Sequence, residues 1–297
     1  MTGTGFEIVG PGLVTEKMPK SKKKWYHGKP LVSIVLFGLI LLGCLFAEGI
    51  MTKDPTYMDL VNYNKAPSGE FFFGTDLMGR DIFSMIWYGG RISLFIGILS
   101  TAISTVIAVV IGSLSGISPK WLDDLIMRFT EIFLSIPNLL LVILLQAILG
   151  KANAVSLSVV IGLTSWTSIA KVVRTEVRQI RNSEYVIASR CMGGGFFHIL
   201  WKHLTPNFIS PIMFMVIMNV RSAIISESTL SFIGIGLPLE IISWGSMLSL
   251  SEKALMTSSW WIILIPGLFL VVTLMCLTNI GNSLRKQVNQ KESNLTS

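Results

Sequence analysis

The residues of this sequence that could do chemistry are charged side chains set in long apolar runs. Arg221 and Glu227 both lie in the apolar stretch Phe208–Gly234. A charged side chain at the centre of a bilayer costs at least about 2.5 kcal/mol, so it needs a counter-charge, hydrogen bonds or water. The two residues lie about 240° apart around a helix and do not share a face. Each is a candidate for a substrate path, where Arg221 would line a watery cavity and bind a substrate carboxylate; the alternative for each is a partner on a neighbouring helix.

Other reactive side chains do not form a metal or catalytic site. They are three methionines, two histidines and three cysteines: Met213, Met215, Met218, His198, His203, Cys44, Cys191 and Cys276. The spacing of the methionines scatters their thioethers around a helix. Both histidines lie in a polar insert outside the apolar runs, and the cysteines have no disulfide or metal spacing. We therefore assign no catalytic residue and no metal to this chain.

The polar, basic insert Asn182–Asn207 has the pattern of two short helices. Asn182 or Ser183 is suited to cap a helix, and Glu184 favours its first turn through the helix dipole. Three successive glycines, 193–195, then end that helix. A second helix is expected over Phe196–His203, and Pro206 is expected to mark the return toward the next apolar run. Such a structured insert predicts that a partner protein binds it.

The elements that must position these residues are membrane spans. Hydrophobic residues make up 51% of the 297 and charged residues 14%, against roughly 25% charged in an ordinary soluble domain. A span needs about 20 mostly apolar residues. Six runs qualify: Leu31–Met51, Ile92–Ile117, Leu125–Leu149, Ala152–Ala170, Phe208–Gly234 and Trp260–Leu284. Ile235–Ser251, which contains Pro238 and Glu240, is expected to be an extracellular or re-entrant segment, and Pro137 and Pro266 are expected to kink their spans. The fold class is thus an all-α membrane protein with six spans.

The distribution of lysine and arginine orients the chain. Sixteen of them fall on the side that holds both termini and the insert, against six on the other side. The side richer in Lys and Arg is the cytosolic one. The expected organisation is a basic cytosolic tail (1–30), a first span (31–51), an extracytoplasmic segment (52–91), a transmembrane domain (92–284) with a cytosolic loop at 171–207, and a cytosolic tail (285–297).

The spacing of the insert resembles the cytoplasmic loop of binding-protein-dependent ABC importer permeases. Aligned on Gly193 and Pro206, the general E-A-A pattern falls on Ile187, Ala188 and Ser189. The wider pattern E-Y-V-x-A-[AS]-R-x-x-G, followed by H-[IL]-x-P-N, is similar to the peptide and nickel branch. The resemblance implies that this loop docks into an ATPase subunit. The implied coupling residues are Glu184, Tyr185, Ala188, Ser189, Arg190, Gly193, His203 and Pro206.

The resemblance extends over roughly residues 30–288. Gly74–Asp81 looks like the G-T-D-x-x-G-R-D segment of the branch's C-type subunit, and Leu230–Gly234 and Trp244-Gly245 resemble its C-terminal half. Glu227 fits the same pattern, which favours a structural role for it. Read from the residues alone, Gly74–Asp81 predicts a turn followed by a helix, with Thr75 or Asp76 as cap and Arg80 as a surface charge. In addition, Asp76, Arg80 and Asp81 are candidates for contact with an extracytoplasmic binding protein.

The resemblance also implies the rest of the assembly. This chain would form one half of a pore in a bacterial-type cytoplasmic membrane, together with a homologous permease chain, two cytosolic ABC ATPases and an extracytoplasmic substrate-binding protein. The sequence contains no Walker A motif, so ATP and Mg²⁺ would be bound by the ATPases and no cofactor by this chain. Membrane lipid is the other partner; nucleic acid is not, because the basic residues lie at the edges of apolar runs.

Two substrate classes and one different transport mechanism are considered for this chain. A di- or oligopeptide is expected, and nickel or a metal chelate is the alternative within the same branch. An ion-coupled secondary transporter is a different class, which would require transport without ATPase partners and would leave the structured insert unexplained.

Overall fold

The computed structural model describes residues 30–250, 254 and 256–295, and within this part every apolar run is helical. An isolated bridge between Thr75 and Asp81 is the only β-type pairing among these residues. The helices in chain order are α1 (Leu31–Leu45), α2 (Ala47–Ile50), α3 (Ile82–Ile117), α4 (Lys120–Ser135), α5 (Asn138–Leu149), α6 (Ala154–Thr164), α7 (Thr167–Ile180), α8 (Glu184–Cys191), α9 (Phe196–Ile199), α10 (Thr205–Phe232), α11 (Trp244–Leu248) and α12 (Trp260–Leu295).

In the described part of the chain, three helices are long and apolar enough to cross a membrane, at Ile82–Ile117, Ile212–Phe232 and Trp260–Lys286. The number rises to five if each of two bent pairs, α4 with α5 and α6 with α7, counts as one span. The first apolar run forms a 15-residue helix, α1. In chain order, the six runs therefore correspond to one short helix, one long helix, two broken helices and two long helices.

Both breaks lie inside runs that the sequence predicted as continuous spans. α4 and α5 meet at an angle of 89°, and α6 and α7 at 47°. Pro137 explains the first break, because proline lacks the N–H of a continuing helix and forces the preceding residue, Ile136, into an extended conformation (φ −93°, ψ 129°). The expected kink at Pro137 is thus a complete break. Pro266, in contrast, lies inside the continuous helix α12.

Helix α3 lies at the centre of the packing and begins earlier than the sequence predicted. Its first residue is Ile82 rather than Ile92, so one 36-residue helix includes the end of the segment predicted as extracytoplasmic. Gly112 and Gly116 allow α7 to approach it closely: a Cβ at Gly112 would lie 2.6 Å from the carbonyl oxygen of Ala170. Small residues four apart are a common means of close helix packing in membranes.

The segment after α10 turns back onto the helices. Ser243 caps α11, and its side chain and that of Ser246 form a reciprocal capping box. Trp244 is fully buried, and its indole Nε1 donates to the carbonyl of Ile86 on α3 at 3.0 Å. The residues predicted as an extracellular or re-entrant segment therefore pack against α3 and α10.

Candidate functional site

The insert between α7 and α10 begins with a helix that ends at a glycine. Helix α8 runs from Glu184 to Cys191, and Gly193 follows with φ +83°. The amide of Gly194 donates to the carbonyl of Ser189 at 2.9 Å. This is the hydrogen bond of a Schellman cap, which requires a left-handed residue at the position of Gly193. The predicted glycine elbow is confirmed.

The second part of the insert differs from the predicted helix Phe196–His203. Helix α9 covers Phe196–Ile199, and a π-helical stretch, Leu200–Leu204, joins it to α10 without a break. A proline lies in the first turn of α10, so one backbone donor is missing where the π-helical stretch passes into α10. The insert therefore ends by becoming the next long helix instead of returning through a separate turn.

One side of the insert packs inward and the other is exposed. Val186 and Ser189 of α8 are buried, whereas 43% of Tyr185 and 61% of Trp201 are exposed. Among the side chains of the insert that the structure describes, the large exposed apolar ones are Tyr185, Ile187, Met192, Phe197 and Trp201, here called the loop face. Glu184 and Ala188 are exposed beside it, and the side chains of Arg190, His203 and Pro206 lie outside the described part. Aromatic and methionine side chains are enriched in protein interfaces.

A buried carboxylate that the sequence analysis missed joins α4 to α3 and to α7, the helix that precedes the insert. The side chain of Asp123 on α4 is completely buried and binds two arginines of α7, with Arg174 Nε 2.5 Å from its Oδ1. Arg178 donates to the Oδ2 atom, and Ser115 of α3 donates to Oδ1 at 2.5 Å. Arg181, in turn, donates to the carbonyl of Gly116 at 3.0 Å. A signal was available, because Arg174 and Arg178 are four apart and so lie on one helix face.

Glu227 lies in a cage of serine hydroxyls. Its carboxylate is fully buried and accepts hydrogen bonds from four serines at 2.7 to 3.3 Å. These are Ser93 of α3, Ser228 and Ser231 of α10, and Ser243 at the start of α11. Gly245 packs directly on the carboxylate, since a Cβ there would lie 2.9 Å from Glu227 Oε1. The cage joins three elements.

Three of these serines also accept a hydrogen bond from the backbone of the segment that follows α10. Ser93 Oγ accepts from the amide of Trp244, Ser243 Oγ from Ser246, and Ser231 Oγ from Leu237. Each hydroxyl thus donates to the carboxylate and accepts from a backbone amide. A carboxylate only accepts hydrogen bonds, so each serine hydroxyl must point its hydrogen toward Glu227 and leave its lone pairs for the backbone amide. In the described structure, Glu227 orients this segment; its place on a substrate path stays a prediction.

Arg221 lies on a different face of α10 from Glu227, as its spacing predicted. It borders a cavity of about 540 Å³ between α10 and α12. The cavity is otherwise lined by Val271, Leu274, Met275, Thr278 and Asn279. The Nε atom of Arg221 is buried and has no hydrogen-bond partner among the described residues. A substrate contact of Arg221 stays a prediction.

The segment Gly74–Asp81 is a buried turn, and two expectations about it were wrong. The helix cap is Asp81, whose Oδ2 accepts from the amide and hydroxyl of Ser84 at 3.0 and 2.6 Å. Arg80 is not a surface charge: only 4% of it is exposed, and its Nε lies 2.7 Å from Asp76 Oδ2. Asp76 Oδ1 also accepts from the amide of Arg80. The local ion pair satisfies both charges within the turn, and the contact of these residues with a binding protein stays a prediction.

The comparison with known proteins supports the resemblance seen in the insert. A family model for the binding-protein-dependent transport system inner membrane component matches residues 108–293. The chain belongs to this family. The match includes α4 to α11, and therefore the insert and Glu227 with Ser228, Ser231 and Ser243, whereas Ser93 lies before it.

Individual members of the permease family match over most of their length. The chain is similar to the oligopeptide transport system permease protein OppC of Bacillus subtilis, with 36% identity over 88% of this chain and 85% of the relative. It is similar to the dipeptide transport system permease protein DppC of the same organism, with 34% identity over 87% and 82%. The di/tripeptide transport system permease protein DppC of Pseudomonas aeruginosa is 31% identical over 90% of both chains.

Membership of a family of inner-membrane permeases implies that the apolar helices of this chain lie in a membrane. The chain is a multi-pass membrane protein with several helices long and apolar enough to cross the bilayer, and the predicted all-α permease fold is confirmed. Asp123, Ser93 and Ser243 each form hydrogen bonds to a different helix. Sequence reasoning identified Glu227 and assigned no such contact to these three; the partners of Ser93 and Asp123 lie 134 and 51 residues away.

Proposed function

We propose that this chain is a permease subunit of an ATP-driven importer of di- or oligopeptides. The observation that carries the proposal is similarity to peptide permeases over nearly the whole chain, together with an insert that has the expected elbow. The substrate class rests on the names of three relatives, which describe oligopeptide, dipeptide and di/tripeptide transport.

In this proposal the loop face is the surface that docks into an ATPase subunit. Its large apolar side chains project from a structured segment that continues directly into α10. Movement of a docked ATPase would therefore act on a membrane span through helical backbone. ATP and Mg²⁺ belong to two partner ATPases, and this chain acts as a translocation subunit without catalytic residues of its own.

The proposed assembly also contains a homologous permease chain and an extracytoplasmic substrate-binding protein. Both termini and the insert lie in the cytosol, which agrees with the excess of Lys and Arg there. Alternation between inward- and outward-facing states would then be a rigid-body change of the two permease chains.

Reconstitution of the complete transporter in liposomes tests the proposal. We expect uptake of labelled trialanine that requires ATP, both ATPases and the binding protein. Parallel arms supply ⁶³Ni²⁺ and an ion gradient without ATP. Nickel uptake without trialanine uptake would assign the metal branch, and trialanine transport driven by the ion gradient alone would contradict the ABC assignment.

A further inference from the structure

The two broken spans meet at one cavity inside the membrane domain. The cavity has a volume of about 400 Å³ and is bordered by the α4–α5 break, the α6–α7 break and one face of α10. Pro137 and Asn138 border it at the first break, Ser165 and Ser168 at the second, and Ser222 on α10. Neither Arg221 nor Glu227 is among its lining residues.

Helix breaks at membrane depth restrict what this cavity can be. The ends of a helix leave backbone N–H and C=O groups without an intrahelical partner. Lipid cannot satisfy these groups, so interrupted spans occur only where they are buried in protein or line a water-filled space. Because both breaks border the same cavity, this space is not filled by lipid.

The side chains of the cavity are polar and neutral. No charged residue lines it among the residues that the structure describes. The polar members are Asn138, Thr164, Ser165, Thr167, Ser168, Asn219 and Ser222. Hydroxyl groups and amide side chains both donate and accept. Asn219 is held in place, since its Nδ2 donates to Ser104 of α3 at 2.5 Å.

The remaining lining adds adaptable apolar contacts. Met215 and Met218 lie on the α10 side, and Phe133 lies near the end of α4. Methionine is flexible and fits side chains of different shape. The volume is within the range of about 300–1,000 Å³ that is usual for sites of small ligands.

We propose that this cavity binds the backbone of a peptide in transit. The proposal rests on the peptide transport proposed above. Neutral donors and acceptors match the peptide bond, which every peptide carries, and the absence of charge among the described lining avoids selection by side-chain charge. The apolar residues accept side chains of varied size. The substrate path in this chain is therefore the cavity at the α4–α5 and α6–α7 breaks, which Ser168 and Ser222 border.

Bulky substitutions in the complete transporter test the site. We expect Ser168→Trp and Ser222→Trp each to lower ATP-dependent trialanine uptake at least tenfold, while the ATPases still co-purify with the complex. Leu163→Trp is the matched control, because Leu163 is exposed on α6 and does not line the cavity; its uptake should equal that of wild type.

Cysteine labelling provides a second measurement that does not depend on tolerance of tryptophan. Ser168→Cys and Ser222→Cys, in a Cys191→Ser background, should react with a water-soluble thiol reagent, and trialanine with ATP and binding protein should slow the reaction. Normal uptake by both tryptophan variants would overturn the proposal. So would cysteines that stay unreactive in all nucleotide states, since a partner permease helix would then fill the space. A wild-type transporter that imports no trialanine would overturn the proposed function, and the peptide assignment of this cavity with it.

Discussion

At the scale of single residues, Glu227 illustrates how a membrane protein retains a buried carboxylate. Four serine hydroxyls supply its hydrogen bonds, and three of them are bound in turn to backbone amides. The sequence marked Glu227 as a possible contact for substrate. In the structure its carboxylate anchors the segment after α10 through hydrogen bonds. Its loss would leave several buried donors without an acceptor, each of which costs about 1–3 kcal/mol.

Substitution of Glu227 should therefore weaken the protein. We expect Glu227→Ala to lower the melting temperature of the purified transporter by about 5 °C or more, from unsatisfied donors worth about 1–3 kcal/mol each. Glu227→Gln should have a smaller effect, because its amide oxygen still accepts while its nitrogen does not. Glu240→Ala, which removes an exposed carboxyl of the same segment, is the control. Equal melting temperatures for the Ala variants would show that the cage contributes no stability.

Gly193 and Gly195 offer a matched pair for the insert. At both glycines the space that a Cβ would occupy is open, with no atom within 4 Å, but only Gly193 has a positive φ. A β-branched residue strongly disfavours positive φ. We expect Gly193→Val to reduce co-purification of the ATPase severalfold and Gly195→Val to leave it nearly unchanged. If both variants retain the ATPase equally, the elbow does not position the docking surface.

At the scale of helices, the Asp123 cluster connects α4, α7 and α3 at the ends nearest the insert. Its carboxylate is fully buried, and the two arginines are partly exposed. Removal of one partner from such a cluster leaves charge without compensation. The cluster therefore makes α7, which leads directly into the insert, move together with α4.

A comparison of Asp123 with its neighbour Asp124 distinguishes loss of the buried cluster from the mere loss of one negative charge. Asp123 is buried and Asp124 is exposed. We expect Asp123→Ala to decrease trialanine uptake relative to ATP hydrolysis at least threefold, since α4 would no longer follow α7. Asp124→Ala should keep the wild-type ratio. A double-mutant cycle with Arg174→Ala should show non-additive effects; additive losses would mean that the pair does not couple the helices.

The existence and order of the helices were predictable, and their breaks were predictable only in part. A hydropathy pattern averages over about 20 residues, so it found the runs at Leu125–Leu149 and Ala152–Ala170 without their interruptions. Pro137 indicated the break between α4 and α5, because proline lacks the N–H that a continuing helix needs. The break at Ser165 and Trp166 has no proline or glycine. The start of α3 was missed for a related reason, because its first turns contain Arg91, which lowers the local hydropathy.

At the scale of the whole molecule, a cysteine of the native sequence can report which side of the membrane the insert faces. Cys191 on α8 is exposed, whereas Cys44 and Cys276 are buried. In membranes that hold the two permease chains without ATPases, we expect a membrane-impermeant maleimide to label Cys191 in inside-out vesicles and not in intact spheroplasts. Cys191→Ser should abolish the labelling. Efficient labelling of intact spheroplasts would reverse the proposed topology.

The contacts that organise the molecule were beyond the sequence alone. The insert could be predicted because its cap and glycines act within a few residues of each other. The Glu227 cage could not, since Ser93 and Glu227 are 134 residues apart and no local period connects them. Arg80 was misassigned for a different reason: its partner Asp76 is only four residues away, but its burial depends on how the whole turn folds.

The uninterrupted helical backbone from Phe196 to Phe232 has one further consequence. A bond between Asn219 and Ser104 holds it to α3 part-way along its length. This backbone carries the insert at one end and Glu227 near the other. A displacement of the insert would therefore reach the carboxylate cage through one continuous helix, with Asn219 as its intermediate contact to α3.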